Sequence, residues 1–452
     1  MVLALAILLL RTPALHAETL RYLPSGELAL SQLYTELTKA QHEIEIAQYY
    51  FEPCQTVGKI VLENLVSRSP GRKARILLDG RANDPSTRRA LTTYLARHGV
   101  ELRYFNATPE NSRDGPTSNY RTHSKVLLAD GSHAVIGGRN LCDDYFGLAK
   151  TWNWIDRDVW VEGESVRAAQ ESFDRLWNHK LTTIEAPASE AELAALEKCL
   201  RPNDKDRRVE AYLAKYAAEN VADAPTNQCG KVEVSVDDMS HVKGAGGTIK
   251  NVFLETAGWD ADGARKASTT KLLGVLKGAN HSIVMENYSY APSHELDELI
   301  GEKRRNQLSL DVFTNSRLEE ILQTEHAEKM LLDDHGTEKI HAMYTSGGLG
   351  QHWSETPFTA RYALHGKTFV VDGKDSVVSS FNLDRRSYHT NGEAVVAVRD
   401  CPEFAARMTQ ETDKLRNIWA DDMANAVACF DAPEKQVGML HRLIRNWIRE
   451  LL

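Results

Sequence analysis

The chain has 452 residues, 42% hydrophobic and 26% charged, enough to bury large cores in two domains or one double domain. A formal charge of -9 at pH 7 and a pI near 6.0 argue against a nucleic-acid binder that relies on general electrostatic attraction. Only a local basic groove could serve that purpose.

Residues 2–10 form an apolar run too short to span a bilayer, Arg11 interrupts it, and a small-residue cleavage site follows Ala17. Residues 1–17 therefore read as a secretory signal. No Lys or Arg precedes the apolar run, so an uncleaved anchor, a misplaced start or a buried strand stands as an alternative. No later run reaches spanning length, and the body is expected to be exported or periplasmic and peripheral to the membrane.

From residue 18 the chain repeats itself. The stretch AQHEIEIAQYYFEP (40–53) parallels ANHSIVMENYSYAP (279–292), and ARILLDGRAN (74–83) parallels LDVFTNSRLE (310–319). The hairpin RTHSKVLLADGSHAVIGGRN (121–140) has its counterpart in YALHGKTFVVDGKDSVVSSFN (362–382), with the same intervals from His123 to Asp130 to Asn140 as from His365 to Asp372 to Asn382. Each copy runs helix, strand, helix, strand, hairpin, which predicts two homologous α/β units, each a mixed sheet flanked by helices, joined about a pseudo-twofold axis. The units are expected at 18–187 and 231–432. The Ala-, Glu- and Leu-rich segment 188–230 reads as a helical linker with a Pro-Asn-Asp turn.

The six cysteines show no C-x-x-C pair and no zinc spacing. In an exported protein the sequence-near pairings are Cys199 with Cys229 and Cys401 with Cys429, against free buried thiols as the other reading. Residues 433–452 place Val437, Leu440, Leu443, Ile444, Trp447, Ile448 and Leu451 on one helical stripe, with Arg442, Arg445 and Arg449 around the polar side. Such a helix suits an anionic membrane surface or packs on the domain.

Side chains at i and i+2 of a strand share a face, so His123 lies beside Lys125 and His365 beside Lys367. The Asp-Gly turns return each strand antiparallel and bring Asn140 and Asn382 back toward their histidines. An imidazole beside an ammonium suits phosphate chemistry: the ring attacks phosphorus or protonates a leaving alcohol, while the ammonium and the amide hold the non-bridging oxygens. Two half-sites supply a histidine for each task. A catalytic imidazole needs a carboxylate to fix its tautomer. Aligning TNGEAVVAV (390–398) with IDRDVWVEG (155–163) offers Glu393 and Asp158 for that role and matches Asn391 with Asp156. A metal centre is disfavoured, because a lysine between the ligands would repel a cation. Two purely structural hairpins are disfavoured too, since a strand core prefers apolar residues to paired His and Lys.

The paired H-x-K-x4-D motifs with their downstream asparagines resemble the phospholipase D superfamily over about Leu20 to Leu452. IGGRNLCDDYF, IDRDVWVEG and SSFNLDRRSYHTNGE look most like the bacterial cardiolipin synthase and phosphatidyltransferase branch. The resemblance implies a phospholipase D-like double domain and metal-free double displacement on a phospholipid, with no cofactor. In that scheme His123 is the nucleophile and His365 the acid and base, while Lys125, Lys367, Asn140 and Asn382 bind phosphoryl oxygens. Asp130 and Asp372 belong to the same motifs and are expected to brace the hairpins. Two departures are the lack of the paired membrane helices common in that branch and Ser379 where glycine is usual. A nuclease or other phosphodiesterase, and a non-catalytic lipid-binding protein, are the alternatives; oligomeric state is left open.

Overall fold

The computed structural model describes residues 17–67, 71–107, 120–150, 152–240, 266–288, 294–306, 308–315, 340–343 and 361–419. The apolar run before Ala17, Cys429 and the amphipathic stretch 433–452 lie outside them. Among the described residues no helix is long and apolar enough to cross a membrane.

The first half comprises β1 (Glu18–Leu23), α1 (Gly26–Lys39), β2 (Glu43–Gln48), α2 (Thr56–Val66), β3 (Lys73–Asp79), α3 (Pro85–Arg97), β4 (Glu101–Phe105), β5 (Arg121–Thr122), β6 (Lys125–Ala129), β7 (His133–Gly137), β8 (Trp152–Ile155), β9 (Asp158–Glu162), α4 (Val166–Trp177) and β10 (Thr182–Thr183). Then come α5 (Glu190–Leu200), α6 (Asp204–Asp223) and β11 (Asn227–Cys229). The second half comprises β12 (Lys231–Val236), α7 (Ala267–Lys277), β13 (Ser282–Glu286), α8 (His294–Arg305), β14 (Ser309–Asn315), β15 (Ile340–Met343), β16 (Arg361–Leu364), β17 (Thr368–Val371), β18 (Asp375–Ser379), α9 (Arg385–His389), β19 (Asn391–Gly392), β20 (Ala394–Arg399) and α10 (Pro402–Trp419).

The sheet of the first half runs β10-β4-β3-β2-β6-β7-β9-β1-β11 and that of the second β12-β20-β18-β17-β13-β14-β15. Leaving out β10 and β11, the two orders are the same. In both, parallel strands follow helical crossovers and antiparallel strands follow the Asp-Gly hairpins, the mixed α/β sheet that the sequence repeat predicts. Asp130 and Gly131, and Asp372 and Gly373, take positive φ in those turns, the left-handed pair that a tight hairpin requires.

The inner faces of the two sheets share one core. Val126, Ile136 and Val159 of the first half cluster with Val370, Val378 and Val396 of the second, all at most 5% exposed. Each such side chain contributes about 1.5–3 kcal/mol on burial, so the face-to-face packing is strongly favoured.

The segment 188–230 packs back onto the first half. Ser189 and Asn203 open α5 and α6 with capping boxes, and α6 lays Val209, Leu213 and Ala217 into the core beneath α1. This return changes the cysteine pairing from the sequence-near expectation. Among the described residues the disulfides are Cys54–Cys199 and Cys229–Cys401, because α5 carries Cys199 to the loop before α2 and β11, paired with β1, carries Cys229 to the start of α10. Cys142 is a buried free thiol.

Candidate active site at the junction of the two halves

Each histidine sits where a short strand of its own half meets a strand of the other. β5 pairs in parallel with β19, and the His123 amide donates to Gly392 O at 2.7 Å. β16 pairs in parallel with β8, and the His365 amide donates to Ile155 O at 2.7 Å. The next residue of each foreign strand supplies a carboxylate. His123 Nδ1 lies 2.9 Å from Glu393 Oε2 and 3.1 Å from Oε1, and His365 Nδ1 lies 2.5 Å from Asp156 Oδ2. Both dyads therefore cross between the halves, and neither half alone contains a complete one.

His123, Lys125, His365, Lys367, Asp156 and Glu393 are all buried. Lys125 Nζ donates to His123 O at 2.7 Å; Lys367 Nζ lies 2.7 Å from His365 Nδ1 and also donates to His365 O. Tyrosines at repeat-equivalent positions line the two half-sites. Tyr49 meets His123 edge-on at 4.8 Å with Lys125 over its ring, and Tyr288 lies 5.2 Å from His365 with Lys367 over its ring. Tyr145 and Trp154 complete an aromatic wall around His365, with Tyr145 Oη 3.4 Å from Nε2.

Burial dominates the protonation of the site. It lowers His123 to about 4 against the pull of Glu393, with Lys125 adding to the lowering. His365 falls well below its ordinary value, first by burial, then by Lys367 and Lys125, with a contribution from His123. Burial also brings Lys125 to about 7 and Lys367 to about 8. The two carboxylates diverge. Burial pushes Glu393 up, but His123, Lys125 and Lys266 outweigh it and hold the group at about 2, whereas burial raises Asp156.

Asp158 lies away from the imidazoles. Arg139 holds its carboxylate at 2.7 Å and donates also to Leu23 O and Tyr145 O. Asp156 takes the place in the dyad that the sequence alignment gave to Asp158. The reason is register: Gly138 N donates to Arg157 O where Ser380 N donates to Ala394 O, which matches Asp156 with Glu393. The segment after Asn140 is thus five residues longer than its counterpart after Asn382, two fewer than the alignment required. The strand register, invisible without the pairing partner, decides it. At Gly138 a Cβ would stand 2.1 Å from Asp156 Oδ1, so glycine leaves room for the carboxylate; Ser380, its equivalent, instead donates to Glu393.

Asp130 and Asp372 lie at the far ends of their strands and touch no reacting group. Asp130 accepts from the amides of Gln41, His42 and Glu43 at 2.7, 2.8 and 3.0 Å; Asp372 accepts from Asn280, His281 and Ser282 at 2.9, 2.7 and 2.9 Å. Each clamps a hairpin to the entry of the adjacent central strand and braces it, so neither belongs among the groups that do chemistry. Asn140 and Asn382 follow the returning strands, and the Oδ1 of each is shielded without a hydrogen-bond partner among the described residues. The aromatic lining, Arg139 and the foreign strands β8 and β19 went unread in the sequence; the matched tyrosines of the repeat were the one visible signal.

Among the described residues no group of His, Cys, Asp and Glu is arranged to hold a metal ion. The arrangement can place one neutral imidazole over an ionised carboxylate, a second imidazole opposite it, and two ammonium groups beside both. That suits nucleophilic displacement at a phosphodiester.

Residues 33–177 and 272–416 match the family described as "Cardiolipin synthase, PLD-like domain". The chain is similar to an uncharacterized protein of Helicobacter pylori (strain ATCC 700392 / 26695), 23% identical over 91% of this chain and 84% of the relative. It is also similar to cardiolipin synthase C of Escherichia coli (strain K12), 24% identical over 81% of this chain and 78% of that protein. Among solved structures, phosphatidylserine synthase of Haemophilus influenzae Rd KW20 superposes with a TM-score of 0.55 at 11% identity, covering 90% of this chain and 88% of its own.

Proposed function

Because this chain belongs to the cardiolipin synthase, phospholipase D-like family, with homology that supports an enzyme of that superfamily, we propose that it transfers a phosphatidyl group through a covalent phosphohistidine. The observation that carries the reading is the composite site: two buried histidines, each tied at Nδ1 to a carboxylate of the opposite half and each beside a lysine.

With Nδ1 bound to Glu393, His123 is left with Nε2 as the attacking nitrogen. Attack on phosphorus makes the ring cationic, and the ionised Glu393 beneath it stabilises that charge, which favours His123 as nucleophile. The P–O bond to the leaving alcohol breaks, and His365 gives that oxygen a proton. The anionic phosphodiester, drawn in by Lys125 and Lys367, offsets the burial that otherwise keeps His365 neutral. In the second step an incoming alcohol or water loses its proton to His365, its oxygen attacks phosphorus, and the P–N bond breaks to restore His123. Lys125, Lys367 and the amides of Asn140 and Asn382 hold the non-bridging oxygens; an Asn amide can turn either end toward them. Asp156 and Glu393 act through the histidines.

Phospholipid is the proposed substrate and an anionic membrane surface the proposed setting. Two disulfides support an oxidising, exported location. The test is product analysis with phosphatidylglycerol vesicles. Cardiolipin formed by the wild type and lost in His123→Ala and His365→Ala establishes transfer; phosphatidic acid alone makes the enzyme a hydrolase; no lipid turnover contradicts the proposal.

A further inference from the structure

The carboxyl ends of parallel strands in an open α/β sheet form the edge where ligands settle. Here β2 and β3 end side by side, and Lys125 is paired with Gln48 at the end of β2. One strand further out, β3 ends at Asp79 and turns through residues 80–83. This turn is built rather than loose. Asp79 Oδ1 accepts from the amides of Arg81 and Ala82 at 2.9 Å each, and Asp79 Oδ2 accepts from Thr122, the residue before His123, at 3.0 Å. Asn83 donates to Tyr49 O and Asp79 O and accepts from the Phe51 amide, and Arg88 donates to Gly80 O, Asn83 O and Ala107 O. The turn is therefore fixed to Tyr49, just beyond the end of β2, and to the segment that carries His123.

This turn presents Arg81. Its Nε and Nη2 are shielded from solvent yet have no hydrogen-bond partner among the described residues. Neighbouring cations have their anions: Arg121 is bound to Asp79 at 2.8 Å and Arg88 to Glu185 at 2.7 Å. Arg121 also lies over the Tyr49 ring at 5.2 Å, the ring that His123 and Lys125 share. Burial and the nearby Arg121 both work against the charge on Arg81, Asp79 offsetting them in part. A partly buried guanidinium with two idle donors, on a rigid turn beside another arginine, has no counter-anion among the described residues.

We propose that Arg81 is the anchor of a second anion subsite that receives a phosphate carried by the acceptor alcohol while its hydroxyl reaches the phosphohistidine. β3 lies two strands from β6, so at the usual strand spacing the subsite stands roughly 10 Å from the Lys125 end of the catalytic pocket. A glycerol unit between two phosphates spans a gap of that order when the long Arg81 side chain reaches inward. The hydroxyl proton passes to His365, the acceptor oxygen bonds to phosphorus, and the P–N bond to His123 breaks; Arg81 orients the acceptor and takes no part in the bond changes. This inference rests on the phosphatidyl-transfer reading for its acceptor, but the subsite itself can be tested without it.

The first arm titrates the full-length protein with inorganic phosphate by calorimetry. One phosphate is expected at the catalytic pocket and one at Arg81, so Arg81→Gln should lose one of two and Arg81→Lys should keep it with weaker affinity. Phosphate binding by Arg81→Gln equal in stoichiometry and affinity to the wild type overturns the subsite. The second arm compares acceptors: phosphatidylglycerol in vesicles, soluble glycerol phosphate, and neutral glycerol. Arg81→Gln should lower kcat/KM for the phosphate-bearing acceptors relative to glycerol by at least about ten-fold, as expected for one charge-assisted contact. Loss with both phosphate-bearing acceptors assigns the site to the phosphate group; loss with the vesicle lipid alone assigns it to the lipid-borne phosphate. An unchanged ratio overturns the role in acceptor choice. If none of the three acceptors is used by the wild type, the phosphatidyl-transfer reading fails, and the phosphate titration still decides the subsite.

Discussion

Burial, more than any single charge, sets the state of the imidazoles and lysines. In the ligand-free protein the His123 ring is expected to titrate near 4 rather than near the usual 6.5, and a bound phosphodiester anion should raise it. NMR titration of the ring protons checks this; a midpoint near 6.5 without ligand contradicts it. The lysines carry their charge below their lowered values and lose it above them. Affinity for a soluble phosphodiester, whose own charge is constant over this range, should therefore fall as pH rises through 7 to 8. Lys125→Arg should remove the transition near 7. The two aspartates two residues apart divide just as sharply. Asp156→Asn takes the carboxylate from His365 and should lower kcat by about 10²–10⁴ in a folded protein. Asp158→Asn instead strands the buried Arg139, and its main effect should be a stability loss of about 3 kcal/mol, read from the denaturant midpoint.

At the scale of elements, the hairpins depend on their turn aspartates. Asp130→Ala removes the acceptor for three backbone amides and should cost about 1–3 kcal/mol while the folded fraction keeps its kcat; a loss of kcat without loss of stability would return Asp130 to the chemistry. The identical spacing of His123, Asp130 and Asn140 with His365, Asp372 and Asn382 made the hairpins, their strand order and the paired half-sites legible in the sequence. Identical spacing says that a residue is required, not what for; the amides that Asp130 and Asp372 hold show what their motif positions do. Asp156 was illegible for another reason. A strand slip of two residues keeps the same face toward the core, so the apolar alternation of β9 fits either alignment, and only the hydrogen bonds to Gly138 and Ser380 separate them. Cysteine pairing was illegible because it follows the docking of α5 and β11 on the first half, a tertiary event.

Across the whole molecule, the halves are held together by more than their shared apolar core. Arg157 of the first half and Glu286 of the second form a buried pair, at 2.8 and 3.1 Å, directly behind Gly366 and next in sequence to Asp156. The repeat gives the His123 side Ala47 and Ala394 at the corresponding places, so this buttress serves one half-site only. Glu286→Gln should destabilise the protein by about 3–5 kcal/mol, since it leaves a buried guanidinium without its anion. Such interdependence follows from a site in which each histidine takes its carboxylate from the opposite half. In the proposed reaction one of these histidines, His123, carries the phosphatidyl group between donor and acceptor. The most direct measurement is to quench the full-length enzyme in alkali during turnover with a radiolabelled phospholipid and map the labelled peptide. The label should lie on the peptide containing His123 and be absent in His123→Ala; label on the His365 peptide, or none during rapid turnover, would contradict the account.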